Sequence, residues 1–335
     1  MSTATMTPPA PPADPPPADP PSADPPSADP PVPGPPSPPP LRRTVNLALQ
    51  VPGTALSILA ALALGMVLHL TVVTQLQYER NQQTAYADFR GELARGTAPV
   101  GQYRVDYSED PNGREELVAP GSPVAVLTIP RIGLESVVFE GTAGDVLRSG
   151  PGHRRDSVLP GQRGTSVVMG RRAAYGGPFR DLDLLMPGDV VQVTTGQSEN
   201  RHEYVVTGLR HPGDPAPEPA PDRGRLTLIT ALGTEFMPTD LMWVDAELRT
   251  EVQPTPGRRF TAAALPPAEK AMATDPDAWT PVMLWGQALL LAALAVTYLR
   301  TRWGGWQAWI VGGPVLTAIT VAACDQAARL LPNLL

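Results

Sequence analysis

Val124-Ala125-Val126-Leu127-Thr128-Ile129-Pro130-Arg131-Ile132-Gly133-Leu134 decides the fold class of this chain. A short run rich in β-branched and aliphatic side chains ends on a proline, and a glycine three residues later supplies a turn. The same rhythm repeats outward. Ser136 to Glu140, Thr165 to Met169, Val190 to Thr195, Glu203 to Thr207, Leu226 to Thr230 and Leu241 to Ala246 are further candidate strands. Pro187-Gly188-Asp189, Gly196-Gln197 and Pro212-Gly213-Asp214 punctuate them. Short strands with few helical patterns predict an all-β sandwich or barrel over residues 123–248.

The flanks are of another kind. Of 335 residues, 43 are proline, and residues 1–43 hold a low-complexity tract in which Asp14, Asp19, Asp24 and Asp29 recur every fifth position. Proline fixes φ and donates no backbone hydrogen bond, so this tail reads as solvated polyproline II: a spacer, or a docking strand for proline-recognising partners. Residues 44–74 carry no Asp, Glu, Lys or Arg behind the Arg42-Arg43 pair, and Thr54 to Thr74 is long enough to cross a bilayer. That pair predicts a cytoplasmic N-terminus and an uncleaved signal anchor. Residues 75–122 read as a stalk and linker; Tyr78, Tyr86, Phe89 and Leu93 share one side of a helix that stands off the membrane or lies against the next domain.

After a second linker, 249–280, two charge-free segments of membrane length follow, 281–299 and 303–324. Arg300 and Arg302 in the intervening loop, 300–302, place it in the cytoplasm, and Trp279, Trp285, Trp303, Trp306 and Trp309 cluster near the segment ends. The expected topology is N-terminus in, β domain out, and a helical hairpin that returns the tail, 325–335, to the outside. No lysine, aspartate or glutamate lies inside a span, which leaves an ion path without support. The net charge of −7 argues against nucleic acid as a partner.

Within the β domain the phrases run in order: Val126 to Leu134; Val138-Phe139-Glu140-Gly141-Thr142; Leu147-Arg148-Ser149-Gly150-Pro151-Gly152-His153; Leu159-Pro160-Gly161-Gln162; Tyr175-Gly176-Gly177-Pro178-Phe179-Arg180-Asp181-Leu182; and Leu185-Met186-Pro187-Gly188-Asp189. This order resembles the sortases, most closely the actinobacterial class E type, over essentially all of 123–248. The resemblance implies an eight-stranded β-barrel facing a Gram-positive cell wall, carried here by one N-terminal and two C-terminal transmembrane helices. It also implies an enzyme that cuts LPxTG- or LAxTG-like sorting signals and joins them to an amine. A cysteine attacks, a histidine carries protons, and an arginine holds the oxyanion.

Carried over residue by residue, that chemistry has no bearers. The histidine position after Gly170 holds Arg171, which stays protonated near neutral pH. The cysteine position after Leu226-Thr227-Leu228-Ile229-Thr230 holds Ala231. The arginine position opening the last strand holds Asp240 or Leu241. Cys324, the only cysteine, falls in the last apolar segment, where it packs as a small apolar residue or forms an intermolecular disulfide. The expectation is a degenerate sortase whose emptied cleft, around Arg171, Arg172, Thr230, Ala231 and Asp240, binds rather than cuts. Its partners would be the membrane and a sorting-signal peptide, a wall component or an active sortase. The alternative is an active enzyme with an unconventional nucleophile, for which Thr230, Ser166 and Ser157 are the nearby hydroxyls.

Arg171-Arg172 presents two forked cations, suited to an external carboxylate or phosphate or to an ion pair with Asp240 or another cleft carboxylate. His153 reads as a turn residue, or as a relocated base. His202, at a strand start, and His211, before a Pro-Gly turn, lack the spacing of metal ligands. Asp181 and Asp183 are too few oxygens for calcium and read as a solvated turn. No cofactor or metal is expected.

Overall fold

The computed structural model describes residues 63–106, 114–218, 221–234, 236–257, 260–303 and 305–335, all within one compact unit, Val51–Leu335. The Pro-rich tract and the first part of the expected anchor lie outside the described residues. From residue 63 the chain is helical. It passes through a π-helical turn, His69–Val73, into α1, Thr74–Arg95. Gly96 ends α1 in the left-handed region (φ 67°), with its N–H donating to the Glu92 and Leu93 carbonyls.

The strands are β1 Tyr103–Asp106, β2 Arg114–Leu117, β3 Pro123–Ile129, β4 Leu134–Glu140, β5 Gly152–His153, β6 Gly164–Met169, β7 Val190–Thr195, β8 His202–Arg210, β9 Gly224–Thr234 and β10 Met237–Leu248. β1 and β2 form a hairpin of their own, inside the stretch read as linker. The other eight close a barrel in the order β10-β8-β7-β3-β4-β5-β6-β9. β4–β5 and β6–β9 are parallel and the remaining pairs antiparallel. Alternation along the strands sends Leu127, Ile129, Val191, Val193, Leu226, Leu228, Met242 and Val244 into one interior cluster with Tyr204 and Phe179.

α1 lies against the barrel rather than standing off it. Ala85 and Phe89 pack with Val126, Val137 and Phe139 on the outer face of β3–β4, which is why those strands are buried on both sides. Gln82 extends the β4 ladder with a side chain: its Oε1 accepts from Val137 N–H (2.7 Å) and its Nε2 donates to Val137 O (3.2 Å) and Ser149 O (2.7 Å). Full burial of Phe89 contributes roughly 1.5–3 kcal/mol to this docking.

α2, Trp279–Trp303, and α3, Gly305–Ala328, form the C-terminal hairpin. Residues 300–302, read as a loop, are helical, because the apolar helix continues to Trp303; the next helix begins at Gly305. Two stretches, Pro276–Val296 and Ile310–Ala328, are long and apolar enough to cross a membrane. Leu284, Leu290, Leu291, Leu294 and Ile310 are exposed on them. A Cβ on Gly312 would meet Val296 Cγ2 at 2.6 Å, so a small residue sets the closeness of the helices. The barrel-side ends of the hairpin are pinned by charge: Arg148 Nη1 to Asp325 (3.3 Å) and Arg329 Nε to Asp275 (3.0 Å).

Candidate functional site

Three strands and one turn make the floor of the cleft. β6 and β9 run parallel with Met169 opposite Ile229, so two residues further on Arg171 comes level with Ala231. β10 places Leu241 opposite Ala231. Arg171, Ala231 and Leu241 therefore stand in one row. Alternation turns Val167, Met169, Ile229, Ala231, Leu241 and Trp243 outward, away from the barrel core, where Leu147 closes over them. Ala231 itself is 1% exposed.

Asp240 is not in this row. It pairs with Leu232, is exposed, and its Oδ1 accepts from the neighbouring Leu241 N–H (2.8 Å). A register shift between Pro238 and Asp240 causes the change, because a one-residue slip sends each side chain to the opposite face. The partner of Arg172 is Asp183 instead (3.2 Å), and Arg172 Nη1 also donates to Ala231 O (3.4 Å).

Arg171 is 2% exposed, and its guanidinium is spent on main-chain carbonyls. Nε donates to Leu147 O (3.1 Å), Nη2 to Gly144 O (2.9 Å) and Nη1 to Leu335 O (3.5 Å). The Tyr175 ring is shared by two cations, its centroid 4.9 Å from Arg171 Cζ and 5.3 Å from Arg148 Cζ. Burial lowers its pKa to about 10, with Tyr175 opposing and Arg148 adding, so it remains a cation at neutral pH. Each of its three nitrogens thus already donates to a main-chain oxygen. Arg171→Met is expected to leave the Leu147 and Gly144 carbonyls without donors and to cost about 2 kcal/mol. Thermal unfolding of the variant, with amide exchange over 142–149, checks this.

The hydroxyls are buried as well. Thr230 is fully buried and donates to Gly170 O (2.9 Å), and Ser166 Oγ is buried without a hydrogen-bond partner and without a base. Ser157, His153 and Glu140 line up as a nucleophile, a base and a carboxylate would: Ser157 Oγ is 3.0 Å from His153 Nε2, and His153 Nδ1 is 2.8 Å from Glu140 Oε2. The protons are wrongly placed for that role. His153 Nε2 also faces Val158 O at 2.8 Å, which requires a proton on Nε2, while Ser157 Oγ donates to Arg154 O (2.7 Å). His153 carries a raised pKa: burial alone would lower it, and the Glu140 charge and hydrogen bond, Val158 O and Asp156 outweigh that. With its Nε2 proton held toward Val158 O, the imidazole has no lone pair there to take a proton from serine. His153 is a buried ion-pair partner that ties β4 to β5.

The other marked residues are structural too. His202 Nε2 lies 3.0 Å from Thr195 Oγ1, and burial lowers its pKa; His211 is exposed, 3.8 Å from Asp214. Among the described residues no group of three His, Cys, Asp or Glu could hold a metal ion. Cys324 is buried in a groove between α3 and the helical stretch around His69.

The cleft has a cover that sequence reasoning missed. Ala271 and Met272, from the segment leading to α2, and Leu334, from the tail after α3, pack on Ala231 and its neighbours. A cavity of about 300 Å³ remains beside them, lined by Gly144, Asp145, Arg171, Asp275, Asp277 and Arg329 among others.

Residues 127–236 match the family described as the sortase domain. This chain carries a sortase domain. Sortase D of Bacillus subtilis is 34% identical over 89 residues, which make up 27% of this chain and 43% of that protein, so the chain spans under half the length of this relative. Among solved structures, the Clostridium perfringens sortase D5 transpeptidase is 23% identical, covering 51% of this chain and 99% of that one (TM-score 0.39). Sortase E from Streptomyces avermitilis is 32% identical over 39% of this chain and 91% of that one (TM-score 0.34). The matched segment of the sortase domain includes Arg171 and Ala231 and ends just before β10.

Proposed function

We propose that this sortase domain is a class E-like pseudoenzyme: a membrane-anchored binding or scaffolding module at the cell envelope, without transpeptidase activity. The observation that carries the reading is Ala231, a methyl group at the centre of the cleft row, flanked by an Arg171 already bonded to carbonyls and by the apolar Leu241. Acyl transfer needs a nucleophile, a proton carrier and an oxyanion donor together, and the row supplies none of them in working form. The row is lined by apolar side chains, as binding grooves are.

In this reading the hairpin and an N-terminal anchor cross the membrane, with the barrel outside and the N-terminus in the cytoplasm. The favoured partners are a sorting-signal peptide, a wall component or an active sortase. The tail that covers the cleft begins Leu331-Pro332, the pair that also opens an LPxTG signal, which supports peptide over wall glycan.

The test is an assay of the full chain in nanodiscs with LPxTG- and LAxTG-type peptides and an amine acceptor. No amine-dependent product is expected. Product that disappears in Ser157→Ala or Thr230→Ala would sink this reading and establish the alternative, a sortase with an unconventional nucleophile.

A further inference from the structure

The tail beyond α3 leaves a helix end already bonded to the barrel at Arg148 and lies in the cleft. Leu334 is fully buried and Leu335 is 3% exposed. Their placement is set by main-chain bonds as well as by packing. Arg172 N–H donates to Leu334 O (3.0 Å), and Asn333 N–H donates to Ala273 O (2.9 Å). The Asn333 side chain, 1% exposed, donates to Thr142 O (3.0 Å) and Lys270 O (2.9 Å). Leu334 sits against Ala231, Ile229, Met169 and Leu147, over the row that the floor strands present.

The tail itself is a turn, closed by Leu335 N–H to Pro332 O (3.1 Å), and a surface that meets its main-chain groups and takes its apolar side chain in a pocket suits a peptide. A lipid chain would fill the pocket but leave those main-chain groups unanswered.

We propose that the cleft is a groove for an apolar peptide and that residues 331–335 are its tethered occupant, so that an external peptide must displace the tail. The inference rests on the binding-module reading above and names the ligand class and its control. The tail is fastened just upstream by Arg329 to Asp275, so its local concentration is on the order of millimolar, as for a short tether. A free peptide that binds the open groove with a Kd of roughly 100 µM is then held back about tenfold.

The experiment uses the full chain in nanodiscs and a fluorescein-labelled peptide with the sequence of residues 329–335. Wild type is compared with a deletion of 331–335 and with Leu334→Asp. Both changed chains are expected to bind the probe about tenfold or more tighter than wild type. The Arg172 amide should exchange faster in the deletion and regain protection when the probe is added. The proposal is overturned if the folded variants bind no better than wild type, or if Arg172 exchange ignores the deletion. It is overturned equally if both variants unfold and the peptide restores neither, since the tail would then be an integral part of the fold. Amine-dependent product in the earlier assay would strike the binding-module reading, whereas exchange at Arg172 reports on the tail alone.

Discussion

Glu140→Ala is expected to lower the stability of the barrel by about 3–5 kcal/mol and to reverse the sign of its dependence on pH above 6. Glu140 and His153 are 4% and 1% exposed, and their ion pair bridges the parallel strands β4 and β5 at a register pair. Removing one partner of a buried pair leaves the other desolvated and unanswered, which is the expensive way to break it. For a domain of this size the loss corresponds to roughly 10–20 °C in Tm. In the wild type the folded pKa of His153 is raised, so its contribution is fully present below the ordinary imidazole value of about 6.5. It is lost as pH rises through the folded value, and stability declines on the alkaline side. Without Glu140, burial becomes the dominant influence and the folded pKa falls below that of the unfolded chain. Stability then increases with pH through about 6.5. Thermal unfolding of both chains, followed by β-sheet ellipticity between pH 6 and 8.5, reads both effects. Parallel curves with the same slope would show that Glu140 does not set the charge of His153.

The strands that packing makes from β-branched runs were legible residue by residue. β5 was not. It is two residues, Gly152 and His153, with no periodicity to read, and it exists because Phe139 and Met169 lie on either side of it. The β1–β2 hairpin escaped for a related reason. Arg114 to Leu117 is mostly charged and pairs only with its own partner, so nothing apolar marks it. The docking of α1 was half visible: Phe89 and Leu93 do face the barrel, but the Gln82 amide that completes β4 carries no pattern.

At the site, the alignment of Arg171 with Ala231 follows from the register of β6 and β9, whose strands the phrases around them mark. Asp240 and Leu241 stayed open because sequence spacing has no means of showing a bulge, and the irregularity between Pro238 and Asp240 shifts the pairing so that Leu241 lies opposite Ala231. The ion pair read for the arginines, with Asp240 or another carboxylate, forms from Arg172 to Asp183. The tail was wholly illegible. Asn333 meets Thr142 across 191 positions of sequence, and contacts of that range follow only from the closed barrel and the hairpin beside it.

Gly152→Ala is the second large effect, expected to cost about 3 kcal/mol or more and to open the cleft. A Cβ at this position would lie 2.2 Å from Gly141 O and 2.8 Å from Leu147 Cδ2. The first neighbour is backbone, which no rotamer change can move aside, so β5 itself has to shift. That shift breaks the bonds on either side of it, Phe139 N–H to Pro151 O and Gly141 N–H to His153 O, both 2.8 Å. It also draws His153 from Glu140 and lifts Leu147 off the cleft floor. Room, and not an unusual φ, is what the glycine provides here. Gly188→Ala separates the two causes. Gly188 has φ of 100° and open space around its missing Cβ, so alanine there meets only backbone strain of roughly 1–2 kcal/mol. If Gly152→Ala destabilises the chain no more than Gly188→Ala, and exchange at Arg172 stays slow, then β5 yields freely and does not position the cleft. A Gly152→Ala chain that unfolds at least twice as far below wild type, with faster exchange at Arg172, would show that this two-residue strand holds both the buried ion pair and the wall of the groove.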